Sequence, residues 1–174
     1  MATEIDKQKS ACGYALGEDG LAKWSETYAD AWIGLLETHK RLTRALDAEL
    51  EAEHGLSLSA VEALARLAGA EERRLRLSAL ATACGLSLSR VSRIVDALEG
   101  RGLVQRRSLE SDGRAVEAHL TDAGLQLVRA AQASHVASVQ DKFFAQLSEH
   151  EIETLARVFA RFAPDAAGEC DPGA

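Results

Sequence analysis

The chain of 174 residues carries a formal net charge of −7, is 47% hydrophobic but only 5% aromatic, and holds 2 prolines. Such a length accommodates one cored domain, or a compact module with long accessory helices, without disulfides. Cys12, Cys84 and Cys170 lie far apart with no C-x-x-C pair, no run approaches the roughly 18 apolar residues of a membrane span, and no apolar stretch follows the N-terminal charges; this excludes a disulfide scaffold and a membrane anchor and points to the cytoplasm.

Abundant Ala and Leu favour helix over sheet, so the expected fold class is mainly α. Residues 1–20 mix charges and glycines without periodicity and read as a disordered tail. From about Leu21 to Glu53, Trp24, Tyr28, Trp32, Leu35, Leu36, Leu42, Leu46 and Leu50 keep a helical period. That helix is longer than one small domain covers, and residues 21–56 are assigned to dimerisation. Gly55 ends it, and Ser59 with Glu62 has the form of a capping box for the next helix, whose core side is Val61, Leu64, Leu67 and Ala68. Leu75-Arg76-Leu77 is too short for an independent strand but suits a third edge on a later ribbon.

The stretch from Ser78 to Thr121 organises the rest. Ser78 is placed to cap a short helix through Leu80, Ala81 and Cys84, and Gly85 supplies the left-handed turn. A second helix begins near Ser87 or Ser89. Val91, Ile94, Val95 and Leu98 recur along it at core-facing spacing, leaving Ser89, Arg90, Ser92, Arg93 and Asp96 outward. After Gly100 and Gly102, residues 103–107 alternate as a strand, Ser111-Asp112-Gly113-Arg114 forms the turn, and the chain returns through residues 115–120 to Thr121, a cap for the next helix. Residues 57–120 therefore read as a winged helix-turn-helix with a small β-hairpin wing. Leu125, Val128, Ala131, His135, Val139, Phe143 and Leu147 then mark a second long helix. Ser148 and Glu151 frame a capping box, and Ile152, Leu155, Val158, Phe159 and Phe162 form an apolar face before Pro164. Residues 121–163 complete the expected dimerisation helices, burying both ends of the chain in a two-fold dimer, and 164–174 read as a flexible tail.

The acidic total argues against nucleic acid only superficially. Between Glu71 and Arg114 nine arginines face six acids, +3, which leaves −10 for the remainder. Arginine is the better bidentate partner for phosphate and guanine, and this segment contains no lysine. The residues expected at DNA are Ser78, Ser87, Ser89, Arg90, Ser92, Arg93, Arg107, Asp112 and Arg114. Hydroxyls at a helix N-terminus can serve as cap and phosphate ligand at once. Asp112 is read as orienting an arginine. The bland alternative for Arg90 and Arg93 is a solvated face, with either one paired to Asp96.

Leu98-Glu99-Gly100-Arg101-Gly102-Leu103-Val104 and Asp112-Gly113-Arg114-Ala115-Val116-Glu117-Ala118-His119-Leu120-Thr121 resemble the MarR-type transcriptional regulators, the likeness running from about Trp32 to Phe162. The resemblance implies a homodimeric DNA-binding regulator, read as a repressor, on a pseudo-palindromic operator of double-stranded DNA. It also implies the helix of Arg90 and Arg93 in the major groove, Arg114 at the minor groove, and release by a small aromatic or lipophilic ligand. Val116 and Gly113 stand where the family commonly has an arginine and a charged residue, so weaker wing contacts are expected. Trp32, His39 and Arg44 are the candidate ligand pocket, between the dimer helices and the winged domain.

Other readings carry less. Cys84 in a redox-sensing regulator is an alternative to an inert core thiol, since no basic group stands at helical spacing to lower its pKa. The histidines at 39, 54, 119, 135 and 150 show no ligand spacing, so no metal and no cofactor are expected. G-x-S-x-G, P-loop and dinucleotide motifs are absent, which argues against an enzyme. A small helical protein-interaction module would leave the wing unexplained.

Overall fold

The structure, a computed structural model, describes residues 13–17, 19–109 and 112–163, without the side chains of residue 109 and residues 112–115. The chain forms two compact units, one up to Ala45 and one from Leu46.

In the first unit β1 (Tyr14–Leu16) and β2 (Ala22–Trp24) pair antiparallel, Tyr14 opposite Trp24. Helix α1 (Glu26–His54) begins two residues later. From sequence alone residues 1–20 carry no fold and the helix starts at Leu21; the structure places β1 within that stretch and starts the helix at Glu26, while residues 1–12 lie outside the described residues. Strands of three residues are too short for alternation to show, and Trp24 imitates the helical period because it stands four residues before Tyr28. Along α1 only Leu46 and Leu50 are buried, and both belong to the second unit.

The second unit holds the end of α1, then α2 (Leu58–Gly69), a 3-10 turn over Glu71–Arg73, β3 (Arg74–Arg76), α3 (Leu77–Ala83) and α4 (Leu88–Gly100). Strands β4 (Val104–Leu109) and β5 (Asp112–Leu120) follow, then α5 (Asp122–Lys142), a 3-10 turn over Phe144–Gln146, and α6 (Glu149–Phe159). The sheet is antiparallel in the order β3-β5-β4, so the short 74–76 segment does add the third edge. Leu64, Leu67, Leu80, Val91, Val95 and Val128 are fully buried at the centre of one continuous core. Each such side chain stabilises by roughly 1.5–3 kcal/mol. The architecture is a mainly α winged helix-turn-helix.

Local signals decide where these elements start, with four corrections. The cap of α2 is Ser57, not Ser59: its hydroxyl accepts the Ala60 amide, and the Leu58 amide is taken by Asp47 Oδ1 at 2.7 Å. Ser78 does not cap α3; burial of Leu77 starts that helix at the end of β3, with Arg76 at the cap position and Ser78 exposed in the first turn. Asp112, Gly113 and Arg114 belong to β5 rather than to the reversal, because Leu109 already pairs with Asp112. The long helix after the wing ends at Lys142, and Phe143 and Leu147 lie outside it. Of the two candidates for the start of α4, Ser87 rather than Ser89 is the cap, and the Thr121 and Ser148 caps form as expected, the last with its full capping box to Glu151. The expected flexible tail, residues 164–174, lies outside the described residues.

Candidate nucleic-acid interface

Helix α4 is positioned by its turn and its buried side. Gly85 takes φ +61°, a left-handed conformation open to glycine without strain, and the Leu86 amide closes the turn on the Ala81 carbonyl. Ser87 caps the helix, accepting the Arg90 amide, and its hydroxyl meets that of Ser89 at 3.2 Å. Val91, Val95 and Leu98 are buried and Ile94 packs against them, so Ser89, Arg90 and Arg93 point outward. The first turn of α4 thus offers hydroxyls, free amide groups and two guanidiniums on one exposed surface.

The structure separates six of the nine arginines by what they touch. Arg106 clips β4 to α4: it meets Asp96 Oδ1 at 2.8 Å, donates to the Ser92 carbonyl and hydroxyl at 2.8 and 3.0 Å, and its amide is held by Glu99 Oε1. Its Nε is buried without a hydrogen-bond acceptor, the nearest Glu99 oxygen being 3.9 Å away. Arg101 donates to the His54 and Gly55 carbonyls and so closes the C-terminus of α1. Arg73 pairs with Asp122 and Arg74 with Glu72. The Asp96 ion pair considered for Arg90 or Arg93 does not form, because Asp96 is taken by Arg106. Arg90 donates to Ser59 Oγ at 3.3 Å and Arg93 to the Ser89 carbonyl at 3.4 Å, and neither meets a carboxylate among the described residues.

The other expected site residues are distributed unevenly. Ser92 is half-buried and bound by Arg106, so it supports the clip rather than standing free on the outer face. Arg107 is exposed on the sheet face away from the core, opposite Glu117. Asp112 and Arg114 stand in β5, with side chains outside the description. Trp32, His39 and Arg44 are all exposed in the first unit, and five residues along a helix place Arg44 roughly 140° around α1 from His39, too far for one patch. None of the three lines the groove found beside α4. That groove, about 620 Å³, runs between the α2 N-terminus and α4, with Leu56, Ala60 and Ala97 on its apolar side and Arg90, Arg93 and Arg101 facing one acid, Glu51. Sequence reasoning missed it because Ser57, Ser59 and Ala97 gain meaning only when the two helices meet.

Cys84 is 8% exposed, and burial, reinforced by Glu62 and opposed by Arg66, holds its thiol above the ordinary value of 9.0. Thiolate is the reactive form, so reactivity should be absent at pH 7 and rise only as pH passes that value. A disulfide-exchange reagent at pH 7 should reach Cys84 in urea-unfolded protein but not in native protein; rapid native labelling of this residue would restore the redox alternative.

Comparison with known proteins agrees with this geometry. Residues 54–115 match the family model described as MarR family. AbsC, a MarR family transcriptional regulator of Streptomyces coelicolor, is 34% identical, with 84% of this chain and 99% of that one covered and a TM-score of 0.73. Sco3205, a MarR family regulator of the same organism solved in complex with DNA, is 30% identical over 81% of this chain and 89% of its own, with a TM-score of 0.74. The transcriptional repressor MprA of Escherichia coli is 30% identical over 95 residues, 55% of this chain and 49% of its own, so the chain spans about half the length of the curated relatives it matches. On its winged helix-turn-helix, its covered length and its identity to AbsC, the chain belongs to the MarR family of transcriptional regulators.

Proposed function

We propose that the protein is a DNA-binding repressor, acting as a homodimer on an inverted-repeat operator and released by a small amphipathic anion. The observation that carries the DNA reading is the pair Arg90 and Arg93, exposed on the first turns of α4 and without a carboxylate partner among the described residues. In this reading they enter the major groove, Ser78, Ser87 and Ser89 hold flanking phosphate, Ser92 acts through Arg106, and Arg107 and Arg114 follow the backbone from the wing, with Asp112 orienting an arginine. The complex of Sco3205 with DNA and the repressor MprA support it by likeness. A dimer accounts for Trp32, Val136, Val158, Phe159 and Phe162, each large, apolar and exposed. Selection from random duplexes should enrich an inverted repeat with half-sites about one turn, roughly 34 Å, apart. A pool that stays random would remove the reading.

The groove beside α4 supports release by an anion, because a ligand there would compete with DNA for Arg90 and Arg93. Its volume lies within the roughly 300–1,000 Å³ of small-molecule sites. Millimolar 1-naphthoate should raise the melting temperature and lower DNA affinity, while neutral 1-naphthalenemethanol should do neither. Equal effects from the two compounds, or none from a panel of such acids, would count against it.

A further inference from the structure

We propose that the N-terminal hairpin is part of the dimer face, with the same surface of a second copy closing over an aromatic row that runs from the hairpin onto α1. This rests on the homodimer reading and extends it to a segment outside the helical period.

The row is continuous. Tyr14 meets Trp24 edge to face at 5.8 Å, Trp24 lies nearly parallel to Tyr28 at 6.4 Å and 8°, and Trp32 follows one helical turn later. The hairpin has a defined seat on the helix. The Ser25 amide donates to the Gly13 carbonyl at 2.8 Å, and Gly13, at φ +74°, lies so close beneath the Tyr28 ring that a Cβ there would sit 2.6 Å from it. Yet the row is uncovered: Trp24 is 51% exposed and Tyr28 and Trp32 are each 53% exposed.

No large apolar side chain of the described first unit is buried. A two-stranded hairpin beside one helix lacks the buried area to hold this arrangement in water by itself. The exposed parts of Leu16, Leu21, Trp24, Tyr28 and Trp32 amount to roughly 600 Å², about three-quarters of the ~800 Å² that each partner contributes to a stable interface. Charge does not oppose self-association. Residues 13–45 hold four basic and five acidic residues, a net of −1 against −7 for the whole chain, and Lys23–Asp19 and Lys40–Glu37 are already paired. Two-fold symmetry brings a single self-complementary patch onto itself, which an aromatic row of near-neutral charge permits.

The chain has two tryptophans, Trp24 and Trp32. In full-length Trp32→Phe, acrylamide quenching of Trp24 is followed as the protein is diluted through dimer dissociation, alongside light scattering. The expected result is at least threefold weaker quenching in the dimer than in the dilute monomer, and Trp24→Ser should raise the dimer dissociation constant at least tenfold. Should Trp32→Phe disturb the fold, amide exchange at residues 22–28 of the unmodified chain is measured over the same dilution, with protection expected in the dimer alone. Quenching that is equally strong in a sample scattering as a dimer places the hairpin outside the interface and overturns the proposal while leaving the homodimer standing. Equal protection in dimer and monomer means the chain covers its own hairpin and overturns it too. A mass near 18.6 kDa at every concentration removes the homodimer itself.

Discussion

Gly124→Ala is expected to lower the melting temperature by on the order of 10 °C, although alanine is the better helix former. Gly124 is the third residue of α5, buried where the helix leaves the sheet. A Cβ built there overlaps the Leu103 carbonyl oxygen and stands 2.7 Å from Leu120 Cδ1. The carbonyl cannot retreat cheaply, since it accepts the Thr121 amide at 3.1 Å and the Thr121 hydroxyl at 3.0 Å. Leu120 is itself held in the core. Replacing glycine in a helix gains up to about 1 kcal/mol, whereas forcing a methyl into a closed packing site costs about 3 kcal/mol at the upper end. The clash wins by about 2 kcal/mol, and a unit of this size loses several degrees per kcal/mol. A thermal melt decides it: an unchanged or raised midpoint would mean that α5 shifts off the sheet at no cost.

The same junction illustrates what could be read from sequence. Thr121 announces itself as a cap because the geometry it needs is local, and the same holds for Ser148. The core side of α4 follows from period alone, and Val91, Val95 and Leu98 are where that period puts them. Local signals fail where two candidates stand close together. Ser57 and Ser59 are both plausible caps, and the choice is made by the burial of Leu56 and by Asp47 reaching the Leu58 amide, neither of which is visible along the chain. Past Lys142 the periodicity continues although the helix does not, because the 3-10 turn keeps a near-helical spacing. The hairpin at Tyr14–Trp24 gave too short a pattern to register.

The interface was legible as a segment but not as a division of labour. Nine arginines look alike in sequence, and their excess over acids identifies the charged face. Which of them is free depends on contacts across ten to about fifty residues: Arg101 on the Gly55 carbonyl, Arg73 on Asp122, Arg106 of β4 on Asp96 of α4. Arg106, which ties β4 to α4, is the residue that sequence reasoning left out. Its signal, an acid pair at 96 and 99 on the exposed side of α4, becomes informative once β4 is known to run past that helix.

That division predicts different responses from arginines of equal charge. Arg93→Ala should weaken binding to the preferred duplex by about 1–3 kcal/mol and relax preference at one position in each half-site, without moving the melting temperature, since its recorded contact is a 3.4 Å bond to a carbonyl of its own helix. Arg90→Ala should behave likewise, with a small extra cost from the Ser59 contact. Arg114→Ala should weaken all sequences alike and flatten the salt dependence by about one unit of slope per phosphate contact. Arg106→Ala should do something else. It removes the clip between β4 and α4 at a cost of about 1 kcal/mol in stability, given the exposure of both acids. It also leaves Asp96 and Glu99 as uncompensated charges on the helix that faces phosphate, so DNA affinity should fall and recover in part when Asp96→Ala is added. Binding curves on selected and scrambled duplexes at several salt concentrations, with a melt for each variant, separate the four. Identical losses from Arg93→Ala and Arg106→Ala, with no recovery on adding Asp96→Ala, would reduce Arg106 to one more phosphate contact; unchanged affinity in Arg90→Ala, Arg93→Ala and Arg114→Ala alike would falsify the assignment of α4 as the reading helix.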